Sequence, residues 1–107
     1  MAEKTAAFSA VTRLEGETAV IDLRGEINSQ AAAAFDAAYS DVTRSGAKRI
    51  MLDFAAVDYI NSTGIALIVG LLARARAAHL PIAAAGLSEH YREIFTITRL
   101  SDFMEIQ

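Results

Sequence analysis

The sequence predicts an α/β fold built on a mixed sheet, and three observations predict it. Short apolar runs of strand size recur along the chain. Stretches with apolar residues at helical spacing separate them, and polar capping residues or glycines stand at the junctions.

Residues 8–13 and 18–23 read as strands joined through Glu15, Gly16 and Glu17, so the chain opens on a β-hairpin. Gly25 then breaks the strand pattern. Asn28 or Ser29 supplies the N-cap of an Ala-rich helix in which Phe35, Ala38, Tyr39 and Val42 share one face. That helix stops near Ser45, where Gly46 suits its C-cap. Residues 49–54 have the size of a buried strand, and residues 55–60 lead out of it into Asn61, Ser62, Thr63 and Gly64, polar capping residues ahead of a second helix. In this helix Ile65, Ile68, Val69 and Leu72 make one apolar face. Leu67 and Leu71 fall off that face, which assigns them either to a second buried side or to a partner.

Pro81 closes the next connection, and residues 82–85 are short enough for a central parallel strand before Gly86. Ser88 caps a third helix, with Glu89 complementing its dipole and Tyr91, Ile94, Phe95 and Thr98 on one face. Residues 103–106 add a last strand or an extended tail. The order is ββαβαβα with that final strand optional, giving a mixed β-sheet of four to five strands with three or more helices. Strand–helix alternation implies pairing that is at least partly parallel.

A chain of 107 residues fits one domain spanning residues 1–107. Its 53% hydrophobic content is of globular type, although Ala supplies much of it. The net charge of -3 and the dispersed basic residues argue against nucleic-acid binding. Cysteine is absent, which removes disulfides and thiolate metal sites and suits a reducing compartment. Residues 1–12 lack the apolar stretch of a secretory signal, and the longest apolar run, after Gly64, meets Arg74 and Arg76 well short of the roughly 20 residues that span a bilayer. The expectation is a cytoplasmic protein without direct membrane insertion.

No nucleotide-binding fingerprint is present: Gly64 and Gly70 lack dinucleotide-binding spacing, and no glycine-rich loop ends in Lys followed by Ser or Thr. A hydrolase finds little support, because the nucleophile elbow needs glycine two positions either side of its Ser, and Ser62 has Ile60 before it. His79 and His90 have no metal-site spacing, so neither metal nor cofactor is expected, and no catalytic residue. Asp53 and Asp58 read first as turn and solvated residues and second as parts of a polar pocket with Ser62.

The segment from Asp53 through Tyr59-Ile60-Asn61-Ser62-Thr63-Gly64 delivers a serine to a strand–helix junction, where backbone N–H groups lack intrahelical partners. A phosphoryl group there brings about -1.5 to -2 charges to a dipole that tolerates it, yet projects charge at any apolar partner docked on the helix. Spacing alone favours Ser62 as an N-cap and Gly64 as a packing glycine over a modified serine with a glycine that lets a kinase approach.

These residues resemble the switch region of STAS-domain anti-sigma-factor antagonists. In that family the pattern is Asp-Ser-Ser/Thr-Gly with the first hydroxyl residue phosphorylated, so the resemblance makes Ser62 the phosphoacceptor and Thr63 the hydroxyl after it. It extends to Leu23-Arg24-Gly25-Glu26-Ile27-Asn28, similar to the family's Gly-Glu-Leu-Asp turn, and to Gly86, Leu87, Ser88 and Phe95. Asn28 and Asn61 stand where the family commonly has Asp; each keeps capping ability and loses a negative charge. The resemblance implies a partner-switching protein that binds a GHKL-type serine kinase acting as anti-sigma factor, is phosphorylated by it, and is reset by a PP2C-like phosphatase. It places the docking surface on Gly25, Glu26 and Asn28, on the Ser62 loop, and on the outward face of the second helix, with Leu67 and Leu71 as apolar contacts and Arg74 and Arg76 at the rim. The same resemblance admits a regulatory subunit of a lipid-transport ABC complex, which needs no phosphate cycle.

Overall fold

Every second residue along the middle strands is buried: Ala19, Ile21 and Leu23 on β2 (Thr18–Ile27), Ile50, Leu52 and Phe54 on β3 (Arg49–Ile60), and Ile82 and Ala84 on β4 (Ile82–Ala85). Side chains two apart share a face, so this alternation gives the sheet one apolar side. The computed structural model describes residues 7–107. In it β1 (Ser9–Glu15) pairs antiparallel with β2, and β2, β3, β4 and β5 (Glu105–Ile106) pair parallel, in the order β1-β2-β3-β4-β5. The mixed sheet with three helices is the predicted architecture, and residues 103–106 divide into a turn and a short final strand.

All three helices meet the same sheet face in one core. Helix α1 (Ala32–Ser45) buries Phe35, Ala38, Tyr39 and Val42, the expected face, and ends at left-handed Gly46. Helix α2 (Ser62–Ala77) is joined to it by the Tyr39 hydroxyl, which donates to the Arg74 carbonyl over 3.2 Å. Helix α3 (Glu89–Ile97) is capped by Ser88 and contributes Phe95, wholly buried and edge-on to Phe54 at 5.7 Å. The opposite sheet face holds Val20 outside that core and the Arg13–Asp22 ion pair of 2.7 Å.

Two strands are longer than the sequence predicts. β2 does not break at Gly25: it runs to Ile27, with Gly25 at φ 93° and the ladder to β3 slipping register there. β3 continues past Phe54 to Ile60, because the ladder absorbs additional residues on β3, one between Asp53 and Ala56 and one at Asp58. Such bulges bend and twist a strand while the pairing survives. Asp53 stabilises the first, accepting a hydrogen bond from the Ala55 amide at 2.9 Å. The expectation of no secretory signal falls partly on residues 1–6, which lie outside the described residues.

On α2 the buried side is Gly64, Ile68, Leu71, Leu72 and Ala75. Val69, expected in the core, is 46% exposed, whereas Leu71 is fully in the core and Leu67 packs half-buried against it. Thr98 likewise leaves its predicted apolar face, to become the exposed C-cap of α3.

Candidate functional site at the start of the second helix

Parallel strands β2 and β3 end together, with Ile27 opposite Ile60, and each hands over at once to an asparagine. Asn28 accepts from the Gln30 amide at 2.9 Å and opens a 3-10 turn, Ser29–Ala31, ahead of α1. Asn61 accepts from the Gly64 amide at 2.8 Å and opens α2 directly. Two helical entrances therefore lie side by side at the carboxyl ends of adjacent parallel strands, the usual location of binding sites in open α/β sheets.

Gly64 fixes how the second entrance is held. A Cβ at this position would lie 2.2 Å from the Ile27 carbonyl oxygen, an impossible contact, so only glycine lets the first turn of α2 press against the end of β2. The same carbonyl accepts the Asn61 amide at 3.2 Å. From the other side, the Tyr91 hydroxyl of α3 accepts the Ile60 amide at 2.8 Å. That amide needs a partner because β4 pairs with β3 only from Ile50 to Asp53, leaving the far end of β3 bonded to β2 alone. Ser62 is thus bracketed by three anchors, at Ile60 and Asn61 before it and at Gly64 after it.

Ser62 and Thr63 are exposed, and α2 has no acidic residue in its first turn. Asn61 engages the amide of Gly64 through its side chain and that of Ile65 through its carbonyl, leaving the Ser62 and Thr63 amides without a protein acceptor among the described residues. A helix start with free donors and no carboxylate accommodates an anion. Asn28, by contrast, donates its side-chain amide to the Glu26 carboxylate at 3.2 Å, so the neighbouring entrance carries a negative group.

Asn61, Ser62, Thr63, Glu26 and Asn28 come together at this end of the sheet, as expected. Four expectations change. Gly25 is buried inside β2, and Gly64 is buried against Ile27, so neither is open to a kinase; both shape the backbone. Leu71 is core and Leu67 half-covered, so the exposed apolar residue flanking Ser62 is Tyr59, 53% exposed, with exposed Val69 about two turns along α2. Asp53 belongs to the bulge and to a cleft with Ser9, Asp22 and Arg24, not to a pocket with Ser62. Asp58 is the exposed bulge residue beside Tyr59. Arg74 pairs with Asp36 at 2.7 Å, and Arg76 lies over the Phe103 ring, so the two arginines face opposite sides of α2. Tyr91 and Tyr59 were missed by sequence reasoning. Tyr91 reads there as a core residue of α3, and Tyr59 gives no sign that a bulge turns it outward.

Among the described residues no helix is long and apolar enough to cross a membrane, and no cluster of His, Asp or Glu could hold a metal ion. The sequence profile of a family described as "Mlab, STAS domain" matches residues 10–106. The chain belongs to the STAS domain family, and its fold is that of the anti-sigma factor antagonists. It is 29% identical over 76 residues to a protein named anti-sigma factor antagonist BtrV from Bordetella bronchiseptica. That match covers 71% of this chain and 66% of the relative, just under two thirds of its length. The structure of the Bacillus cell fate determinant SpoIIAA in its phosphorylated form is 25% identical, covers 94% of this chain and 91% of that one, and superposes with a TM-score of 0.68. An anti-sigma factor antagonist from Thermotoga maritima shares the fold at 19% identity and a TM-score of 0.73, over 91% of this chain and 84% of that one.

Proposed function

We propose that this chain is an anti-sigma factor antagonist working by partner switching, with no catalysis of its own. As one cytoplasmic domain, it binds a GHKL-type serine kinase that doubles as anti-sigma factor while Ser62 is unphosphorylated. Transfer of a phosphoryl group from ATP to the Ser62 hydroxyl ends the binding, and a PP2C-like phosphatase restores it. The observation that supports this reading is the exposed Ser62 at the start of a 16-residue helix whose first turn carries free amides and no acid. The docking surface is built from Glu26 and Asn28, the Asn61–Thr63 loop, Asp58, Tyr59 and the outward face of α2. An exposed tyrosine beside the serine is the type of residue that anchors such interfaces. A phosphate on Ser62 would be welcome to the helix and unwelcome to an apolar partner.

Intact-mass and site-mapping spectrometry after incubation with the genomically adjacent serine kinase and ATP tests this. One phosphate that maps to Ser62 and is lost in Ser62→Ala is expected. Tight complex formation with an active kinase and no phosphate would remove the switch. That outcome would favour the second reading, a regulatory subunit of a lipid-transport ABC complex that docks without a phosphate cycle. One feature supports it: Ala66, Val69, Gly70 and Ala73 form an exposed, uncharged strip on α2 suited to permanent packing.

A further inference from the structure

Well away from Ser62, the C-terminal half of α2 and the corner after α3 enclose an apolar cleft of about 280 Å³, lined by Val69, Leu72, Ala73, Leu100 and Phe103. It continues past Phe103 into a second cleft bordered by His79 and Pro81. Val69 and Phe103 in its lining are 46% and 55% exposed, apolar surface that packing among the described residues does not use. Gly70 stands beside it inside the helix, although a Cβ there would meet nothing within 4 Å. A mid-helix glycine costs about 1 kcal/mol relative to alanine, and nothing among the described residues requires this one.

The charges around the cleft have one sign. Arg76 and Arg99 line the clefts and, among the described residues, no acidic residue does, in a chain of net charge -3. Asp102, paired with Arg99 at 2.8 Å, is the nearby acid and lies outside the lining. From Val69 to Arg76 the furrow follows α2 for about 10 Å, which matches about two turns of a docked helix, before it reaches His79 beyond the helix end.

We infer that this furrow is a second docking surface, and that its occupant is an acidic amphipathic helix of a partner protein. Its apolar stripe would lie on Val69, Ala73 and Phe103, with carboxylates reaching Arg76 and Arg99. Gly70 removes the side chain that would hold the two helices apart. The furrow shares Val69 and Ala73 with the outward face of α2, but no lining residue belongs to the Ser62 loop, so its occupancy can be tested apart from the role of Ser62.

The test is an amide-resolved NMR titration of the full chain with a synthetic peptide of about four helical turns, leucine on one face and glutamate on the other. A lysine-for-glutamate version serves as control. Saturable shifts confined to residues around Val69, Ala73, Leu100 and Phe103 are expected, at least tenfold tighter for the glutamate peptide. Arg76→Glu and, separately, Val69→Glu should abolish them with the rest of the spectrum unchanged, and Ser62→Ala should leave them intact. The inference is overturned by equal binding of both peptides or by shifts elsewhere. It is overturned equally if only anionic vesicles perturb these residues, or if dilution of the free protein alone moves them, which would indicate a membrane or a second copy.

Discussion

The two helical entrances at the ends of β2 and β3 begin with the same dipeptide, Asn28-Ser29 and Asn61-Ser62, and both serines are exposed. What separates them is the structure behind each. Ser29 opens a single 3-10 turn, and the Asn28 side chain before it holds the Glu26 carboxylate. Ser62 opens an uninterrupted helix with no acid in its first turn, and it is braced by Gly64, Ile27 and Tyr91. An anion at Ser29 would face a carboxylate at a 3-10 turn, whereas at Ser62 it would face free amides at the first turn of an α-helix with no acid beside it. An Asn-Ser pair thus says little about a site until the element that follows it is known.

The largest expected effect is at the brace. Gly64→Ala must displace α2 from the Ile27 carbonyl and should cost about 2 to 3 kcal/mol in urea denaturation. Gly70→Ala on the same helix, with open space around it, should stabilise by about 1 kcal/mol. Equal effects at the two glycines would mean that α2 does not press on β2 as described.

Tyr91→Phe keeps the ring and removes the acceptor of the Ile60 amide, for an expected loss of about 1 to 2 kcal/mol. An unchanged denaturation midpoint would mean that water replaces the hydroxyl freely, so that α3 does not brace the loop. Next come the caps. Asn61→Ala should cost about 1 kcal/mol, and Asn28→Ala less, because it caps a 3-10 turn ahead of α1 and not the first turn of the α-helix itself. The reverse order, read by thermal melts of the two variants, would invert the comparison.

Smallest is the charge itself. Ser62→Glu should stabilise the fold by about 0.3 to 1 kcal/mol at low salt, and Ser29→Glu, beside Glu26, should not. Both differences should shrink in high salt because exposed charges are screened. A stabilising Ser29→Glu would show that Glu26 exerts no repulsion there.

Much of this was legible in the sequence. The buried face of α1, the cap Ser88 and the four residues of β4 follow from periodicity and capping chemistry, which are local, whereas the choice of Asn28 over Ser29 and of Asn61 over Ser62 as caps was left open by them. The ends of β2 and β3 were not legible. A glycine and two aspartates read as strand breakers, but pairing with a neighbouring strand overrides that preference, and bulges take up the surplus residues. On α2 nearly every apolar residue fits some helical face, so Val69 and Leu71 exchange roles once the helix rotates to bring Gly64 onto Ile27. Within the site, the residue types were visible and the long-range bracing was not, since Tyr91 and Ile60 are distant in sequence.

The overhang of β3 beyond β4 has a kinetic consequence. From Ile50 to Asp53 the strand is gripped on both edges, and release of those amides to solvent requires opening the sheet as a whole. Past Asp53 one edge is free, so residues 55–60 should exchange their hydrogens through a smaller, local opening hinged at the first bulge. The far end of this stretch is closed by Tyr91 and Ile27 just before Ser62, so its exchange should quicken in Tyr91→Phe while that of residues 50–53 stays unchanged.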